Sequence, residues 1–336
     1  MVRVSAPGKV MISGEYVVLE GAPALVAAAP ARARVTLAAR PTRTSDGSPP
    51  DPGRSPDAQP LPPEALLART CAESVFGPLT RDMDLAIDTS ALRHQGNGEG
   101  SRKLGLGSSA AAAAGTVAAV AAANGLDVSN PTVRARLLPI ALDGHRAVAP
   151  EGSGADVAAS TLGGFVRVRR DGEHLDAARI DWPASLHLAL VWTGTPARTS
   201  DLVAKVKSLA ARDATAYQRA ITPLREAAAT LLAAIERGDA RGAIDAAAAH
   251  HDAMQLLGET AGAPIVTPEL TKAAMIAHSI GGSAKPSGAG GGDVAIAFLP
   301  SESAIAELGD ACRIAGLALL PLRLGDDGVR VDEPLD

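Results

Sequence analysis

Lys103-Leu104-Gly105-Leu106-Gly107-Ser108-Ser109 runs without a break into Ala110-Ala111-Ala112-Ala113-Ala114. The stretch joins a basic residue, a glycine turn and two hydroxyls to an alanine-rich segment that extends to Ala123. Alanine is the strongest helix former, so a helix is predicted over 110–123. Ser and Thr favour N-cap positions, and the first-turn N–H groups of a helix have no intrahelical acceptor. Two readings fit. One is an ordinary capped helix after a tight turn. The other is a phosphate cradle, in which a glycine-rich loop and the positive end of the helix dipole hold an anion. Taken alone, the stretch favours the first, and the remainder of the chain has to decide.

On the amino-terminal side of that stretch, Met83 to Asp88 alternates as a strand does, and His94 to Arg102 is a polar, glycine-rich loop. Further upstream, Glu64 to Val75 has helical spacing, while Pro41 to Pro63 is Pro-, Ser-, Asp- and Gly-rich and reads as a mobile excursion. At the start of the chain Val2 and Val4 alternate, Ala6-Pro7-Gly8-Lys9 breaks the pattern and Val10-Met11-Ile12 resumes it. That predicts two strands around a turn. Lys9 is then either a solvated strand-end lysine or a phosphate contact.

On the carboxyl-terminal side, Asn130-Pro131-Thr132 opens a helix running to His145, with Asn130 or Ser129 as cap. Gly152-Ser153-Gly154-Ala155-Asp156 leads into another short helix. An aspartate there is commonly a cap or dipole partner, and a carboxylate at a substrate is the alternative. The pattern changes near Asp171-Gly172-Glu173, which divides the chain into domains of 1–172 and 173–336. A strand over 186–192 ends in Thr193 to Ser200, whose hydroxyls and Arg198 line either a pocket or a turn. Helices dominate thereafter, and His250 and His251 read as surface or packing residues rather than metal ligands. Ala284-Lys285-Pro286-Ser287-Gly288-Ala289-Gly290-Gly291-Gly292-Asp293 precedes a strand over 294–299, so backbone there approaches another segment or a ligand closely. A helix over 301–315 and a strand over 317–324 close an α+β pattern without internal repeats.

Composition narrows the classes. At 336 residues two domains are the default. A 2% aromatic content and a net charge of -5 without a basic block argue against nucleic acid and anionic membrane as partners. Two distant cysteines, Cys71 and Cys312, fit neither a disulfide framework nor a zinc site. No apolar run reaches the ~20 residues of a membrane span, and the start lacks a signal-peptide core, so a soluble cytoplasmic protein is expected.

The central loop is neither a Walker A sequence nor a dinucleotide fingerprint. Its amides, hydroxyls and Lys103 fit a phosphate chain with Mg²⁺. Three separated stretches resemble the three motifs of the GHMP small-molecule kinases: Ala6-Pro7-Gly8-Lys9 with Gly14-Glu15, then Gly105 to Ala110, then Ser287 to Asp293. They occur in the family's order and spacing. The resemblance implies a two-domain GHMP kinase fold of α+β class, with an N-terminal ribosomal-S5-like α/β domain and a C-terminal ferredoxin-like α/β domain. It also implies ATP and Mg²⁺ as cofactors, a small-molecule acceptor, and a monomer or homodimer.

Within the family Tyr16, Asp293, Leu190 to Gly194 and Gly325-Asp326-Asp327 resemble the phosphomevalonate kinases. His145 stands where mevalonate kinases carry a metal-binding glutamate, eleven residues before the catalytic aspartate, and this departure favours the same group. The implied reaction is γ-phosphoryl transfer from ATP to 5-phosphomevalonate, with mevalonate itself as the alternative acceptor and a non-catalytic nucleotide-binding regulator as a third reading. By the same resemblance Lys9 and Asp156 are the catalytic candidates. Lys103, Gly105, Leu106, Gly107, Ser108 and Ser109 would bind the nucleotide, and Ser108 or Ser109 the Mg²⁺. Lys9, Ser153, Arg198, Ser287, Gly288, Ala289 and Gly290 would contact the substrate.

Overall fold

A computed structural model describes residues 1–39, 61–79, 83–94, 102–172, 174–194 and 199–332, without the side chains of His94, Arg102 and Lys103. Most of the excursion expected over 41–63 lies outside the described residues, and Pro63 at its end opens a helix. The first half comprises β1 (Val2–Ser13), β2 (Ala24–Ala39), α1 (Pro63–Phe76), β3 (Met83–Asp88), β4 (Arg93–His94), β5 (Arg102–Lys103), α2 (Ser108–Ala123), α3 (Pro131–His145), α4 (Ala155–Leu162), β6 (Phe165–Asp171) and β7 (His174–Ile180). The second comprises β8 (His187–Trp192), α5 (Thr199–Arg212), α6 (Ala214–Glu236), α7 (Ala240–Ala261), α8 (Pro268–Ser279), β9 (Ser283–Pro286), β10 (Val294–Leu299), α9 (Glu302–Ile314), β11 (Ala318–Leu320) and β12 (Arg330–Val331).

The two strands and turn expected at the start of the chain are one strand. β1 pairs with β2 from Val2↔Leu37 to Ser13↔Leu25, and its register shifts between Pro7 and Gly8 and again between Met11 and Ser13. Such bulges bend a strand and re-aim its side chains without ending it, so Pro7 is accommodated in place. The first sheet runs β12-β1-β2-β6-β7, with β3 also on β2, and every pairing is antiparallel. β2 is long enough to serve β6 with Ala24 to Ala27 and β3 with Arg34 to Ala39.

Helix α2 lies against β1 and β2, with α1, α3 and α4 around it. Every residue from Ala110 to Ala121 is buried. A helix apolar on all sides belongs inside a core, and small side chains let its neighbours approach from every direction. A Cβ on Gly115 would come within 2.8 Å of Val35 Cγ2. The alanine run is therefore what admits this helix to the centre of the first half.

The second sheet, β11-β8-β10-β9, is likewise antiparallel. Along β10 the side chains alternate: Val294, Ile296 and Phe298 join Leu231, Ile235 and Ile244 of α6 and α7, while Ala295, Ala297 and Leu299 meet Leu270, Leu308 and Cys312 of α8 and α9. The closing strand expected over 317–324 is confined to Ala318–Leu320. Beyond it the chain returns to the first sheet as β12. Arg32 holds this return. Its buried guanidinium donates to Ser5 Oγ at 2.9 Å, Ser5 O at 3.0 Å, Asp327 O at 2.8 Å, Gly328 O at 2.6 Å and Asp326 Oδ2 at 2.5 Å. The division expected at 172/173 falls in the β6–β7 hairpin, so the first sheet continues to Ile180 and takes in Arg330–Val331. Among the described residues no helix is long and apolar enough to cross a membrane, and Cys71 and Cys312 are free.

Candidate active site

The terminus of α2 decides between the two readings of the central stretch. Its N-cap is Gly107, left-handed at φ 74° and ψ 45°, and no side chain caps it. The first intrahelical bond runs from Ala111 N to Gly107 O at 3.1 Å. The N–H groups of Ser108, Ser109 and Ala110 thus have no intrahelical acceptor. By contrast α3, α6, α7, α8 and α9 are closed by Asn130, Asp213, Asp239, Thr267 and Ser301. The capped-helix reading is removed, and an open, positive helix end remains.

Distant segments meet at this end. Lys9 N donates to Leu106 O at 2.8 Å, and the Lys9 side chain lies across Gly107, where a Cβ would be 2.8 Å from Lys9 Cγ and 3.2 Å from Cε. A Cβ on Gly105 would be 2.9 Å from Asp293 Oδ2. The amino-terminal strand, the central loop and the late glycine cluster therefore touch one another through Lys9, Gly105, Gly107 and Asp293.

A second cluster adjoins the same helix end. Ser109 Oγ is 3.0 Å from His145 Nε2, and Asp156 Oδ2 is 4.0 Å from that same nitrogen. His145 is buried at the end of α3. Both contacts fall on Nε2, so the group is not a relay of the Ser–His–Asp kind, in which base and orienting carboxylate use different ring nitrogens. Asp156 is not a cap either. Gly154 occupies the N-cap of α4, and Asp156 sits in the first turn with Oδ1 accepting from Val157 N at 2.9 Å. Ser153 Oγ accepts from Ala155 N at 3.3 Å, in the loop just before this turn. Arg198 and the side chain of Lys103 lie outside the described residues.

The late glycine cluster divides between packing and exposure. Gly290 backs onto another segment, since a Cβ there would be 2.2 Å from Ile265 O. Gly288 opposes nothing within 4 Å. Ser287 Oγ donates to Met11 O at 2.9 Å, Gly288 N to Glu15 Oε1 at 3.3 Å, and Tyr16 OH to Ala289 O at 2.6 Å. Glu15 in turn holds Lys285 Nζ at 2.5 Å and faces His250 Nε2 at 3.3 Å, and all three side chains are buried.

Burial pushes the Glu15 carboxyl upward, but the Lys285 charge, the neighbouring His250 and the hydrogen bonds the carboxylate accepts together leave it below its ordinary value. Burial lowers Lys285, against the opposing pull of Glu15. Burial lowers His250 to about 3, with the Lys285 charge acting in the same sense, so the imidazole is neutral. His250 is a core group and not the surface residue that one of the two sequence readings allowed. Sequence reasoning passed over this cluster, the Ser109–His145 contact and the Gly105–Asp293 contact. The available signal was Lys285, a single charge among small residues ahead of a buried strand. Among the described residues no group of three or more His, Cys, Asp and Glu could hold a metal.

Family models for the GHMP kinase N-terminal domain and the GHMP kinase C-terminal domain match residues 76–164 and 231–316. A phosphomevalonate kinase from a Streptomyces species is 32% identical over 96% of this chain and 97% of its own. The chain belongs to the GHMP kinase family. As a GHMP kinase it is a phosphotransferase of mixed helix and strand. A mevalonate kinase from Aeropyrum pernix is 31% identical to it over 71% of each chain, a shorter match. The Streptococcus pneumoniae phosphomevalonate kinase, solved in complex with phosphomevalonate and AMPPNP, shares the fold at a TM-score of 0.73, with 22% identity over 96% of this chain and all of that one.

Proposed function

We propose that this GHMP kinase transfers the γ-phosphoryl group of ATP to the phosphate of (R)-5-phosphomevalonate, giving 5-diphosphomevalonate and ADP. The observation that carries the reading is the full-length likeness to a phosphomevalonate kinase, set against a match to mevalonate kinase that covers 71% of the chain. In the reaction an acceptor phosphate oxygen bonds to the γ-phosphorus as the bond from that phosphorus to the bridging oxygen breaks. A phosphate monoester has a second pKa near 6 and is already anionic at neutral pH, so no strong base is required. Positioning and charge neutralisation then carry most of the catalysis.

In this reading the amides of Ser108, Ser109 and Ala110 receive the nucleotide phosphates, together with Lys103, Gly105, Leu106 and Gly107. The Lys9 ammonium, at the end of a stem laid across Gly107, neutralises the transferring phosphoryl group and the acceptor phosphate. Asp156 orients Lys9 or the acceptor. Ser153, Arg198 and the loop from Ser287 to Gly290 contact the acceptor. The donor set fits Mg²⁺: the serine hydroxyls at the α2 terminus and the partly exposed Asp156 carboxylate are hard oxygen ligands, and Ser109 Oγ and Asp156 Oδ2 lie 3.0 and 4.0 Å from the same His145 Nε2. Mg²⁺ takes few protein ligands when phosphate oxygens complete its shell, and when bound it would supply charge neutralisation between the phosphates. A cytoplasmic monomer or homodimer with no nucleic-acid or membrane partner completes the proposal.

The test is ADP release on a panel of phosphomevalonate, mevalonate, homoserine and galactose, with the product followed by phosphorus NMR. Turnover on phosphomevalonate with appearance of a diphosphate is the expected result. Turnover on mevalonate alone would replace this reading with the mevalonate kinase one. ATP binding without turnover on any acceptor would point to a regulator.

A further inference from the structure

The turn after β1 is tied to the loop over 287–290 by contacts that need no ligand. Ser287 Oγ reaches Met11 O at 2.9 Å, Tyr16 OH reaches Ala289 O at 2.6 Å, and Glu15 Oε1 accepts the Gly288 N–H at 3.3 Å. The same carboxylate oxygen receives Lys285 Nζ at 2.5 Å, and Lys285 also donates to Pro286 O at 2.8 Å. Lys285 lies two residues before the loop, and His250 of α7 closes the far side of the carboxylate at 3.3 Å. Glu15 thus joins β1, α7 and β9, three segments that sequence keeps far apart.

Backbone strain marks the same joint. Tyr16 has φ 63° and ψ -49°, and Val17 N bonds to Glu15 O at 2.7 Å across it, closing a three-residue γ-turn. Non-glycine residues adopt such a turn only where the surroundings over-determine it. Among the described residues the non-glycine positions with positive φ are Tyr16 and Asp293. The first shapes the turn, and the second closes the glycine loop. A buried ion pair is weak evidence for stability, because desolvation offsets its attraction. Geometric specification is the better account of a buried pair whose members anchor a loop.

We infer that Glu15 and Lys285, with His250 packed against the carboxylate, are positioning residues, which fix the loop over 287–290 against the strand that carries Lys9 and thereby set affinity for the acceptor phosphate. They act through the Gly288 amide and through the backbone on either side of it, and being buried they meet no substrate. The inference rests on the assignment of that loop to the acceptor in the proposed function.

The full-length enzyme tests it through Glu15→Leu/Lys285→Met, which removes both charges together, and through Glu15→Gln, which keeps an acceptor oxygen for Gly288. The KM for phosphomevalonate should rise about tenfold in the double variant, while kcat and the KM for ATP stay within about threefold. Glu15→Gln should recover most of the lost affinity. Amide hydrogen exchange should quicken over 287–291 and stay unchanged over 108–114. Equal rises in both KM values, a fall in kcat alone, or unaltered exchange over 287–291 would overturn the inference. Should the double variant fail to fold, Glu15→Asp keeps the charge but withdraws it by one methylene. It must then reproduce the exchange change, and wild-type exchange in it would equally overturn the inference. Exchange needs no substrate, so it decides the positioning role even if the wild-type enzyme turns over none of the acceptors, the outcome that would fell the proposed function instead.

Discussion

Acidification should unfold this kinase in part through one imidazole. His250 is fully buried and its pKa is lowered to about 3, while an unfolded histidine titrates near its ordinary value of 6.5. Below pH 6.5 the unfolded chain therefore binds a proton that the native protein refuses, and stability falls with falling pH until about pH 3. Integrating the linkage relation gives a loss of about 2 kcal/mol between pH 7.5 and pH 5.0, and about 5 kcal/mol by the end of the window. Glu15, held below its ordinary value by Lys285 against the opposing effect of burial, stays ionised at pH 5. It leaves this interval to the histidine. His250→Gln keeps a polar side chain facing Glu15 and removes the titration. Urea unfolding followed by circular dichroism at both pH values gives a wild-type minus variant stability difference at each. That difference should shift by about 2 kcal/mol against the wild type at pH 5.0, with His251 and all other groups common to both proteins. An equal difference at the two pH values would refute neutral burial of His250.

Lys9→Ala should lower kcat by about 10²- to 10³-fold, the scale of losing one preorganised charge at a transferring group, and an enzyme with wild-type turnover would remove Lys9 from the chemistry. Gly107→Ala places a Cβ 2.8 Å from Lys9 Cγ at a residue with φ 74°. It should cost about 1 kcal/mol of stability from backbone strain and weaken ATP binding measured by titration calorimetry. Asp156→Asn should slow kcat yet leave the acidic limb of the pH–rate profile in place, since the acceptor is already anionic, whereas loss of that limb would make Asp156 the base. Arg32→Met should destabilise the protein by about 3 kcal/mol by leaving Asp326 and several carbonyls without their donor, with the KM for ATP unaffected.

What the sequence determined by itself was local. Alternation set β3 at Met83–Asp88, a short apolar run after a glycine cluster set β10 at Val294–Leu299, and the cap and proline signals at Asn130-Pro131 set α3 at Pro131–His145. These patterns are written within one element and survive any arrangement of the rest. The three stretches that resemble GHMP kinase motifs were equally legible, because a loop that must approach phosphate needs glycine wherever it lies in the chain. Tertiary structure decided the remainder. β1 stays one strand across Pro7 because β2 pairs with it on both sides of a bulge, which no property of residues 6–9 announces. The α2 terminus is open because Gly107 takes the cap position ahead of two serines that propensity favours for it. The reason is Lys9, whose side chain occupies the space where a Cβ at 107 would stand. Ser109 with His145, Glu15 with Lys285 and Arg32 with Asp326 are separated by 36, 270 and 294 positions, and polar pairs at such distances leave no periodicity to read. The residue types for an anion site are thus present in the sequence. Only the packing of one half against the other turns them into a cradle with its anchoring charges buried behind it.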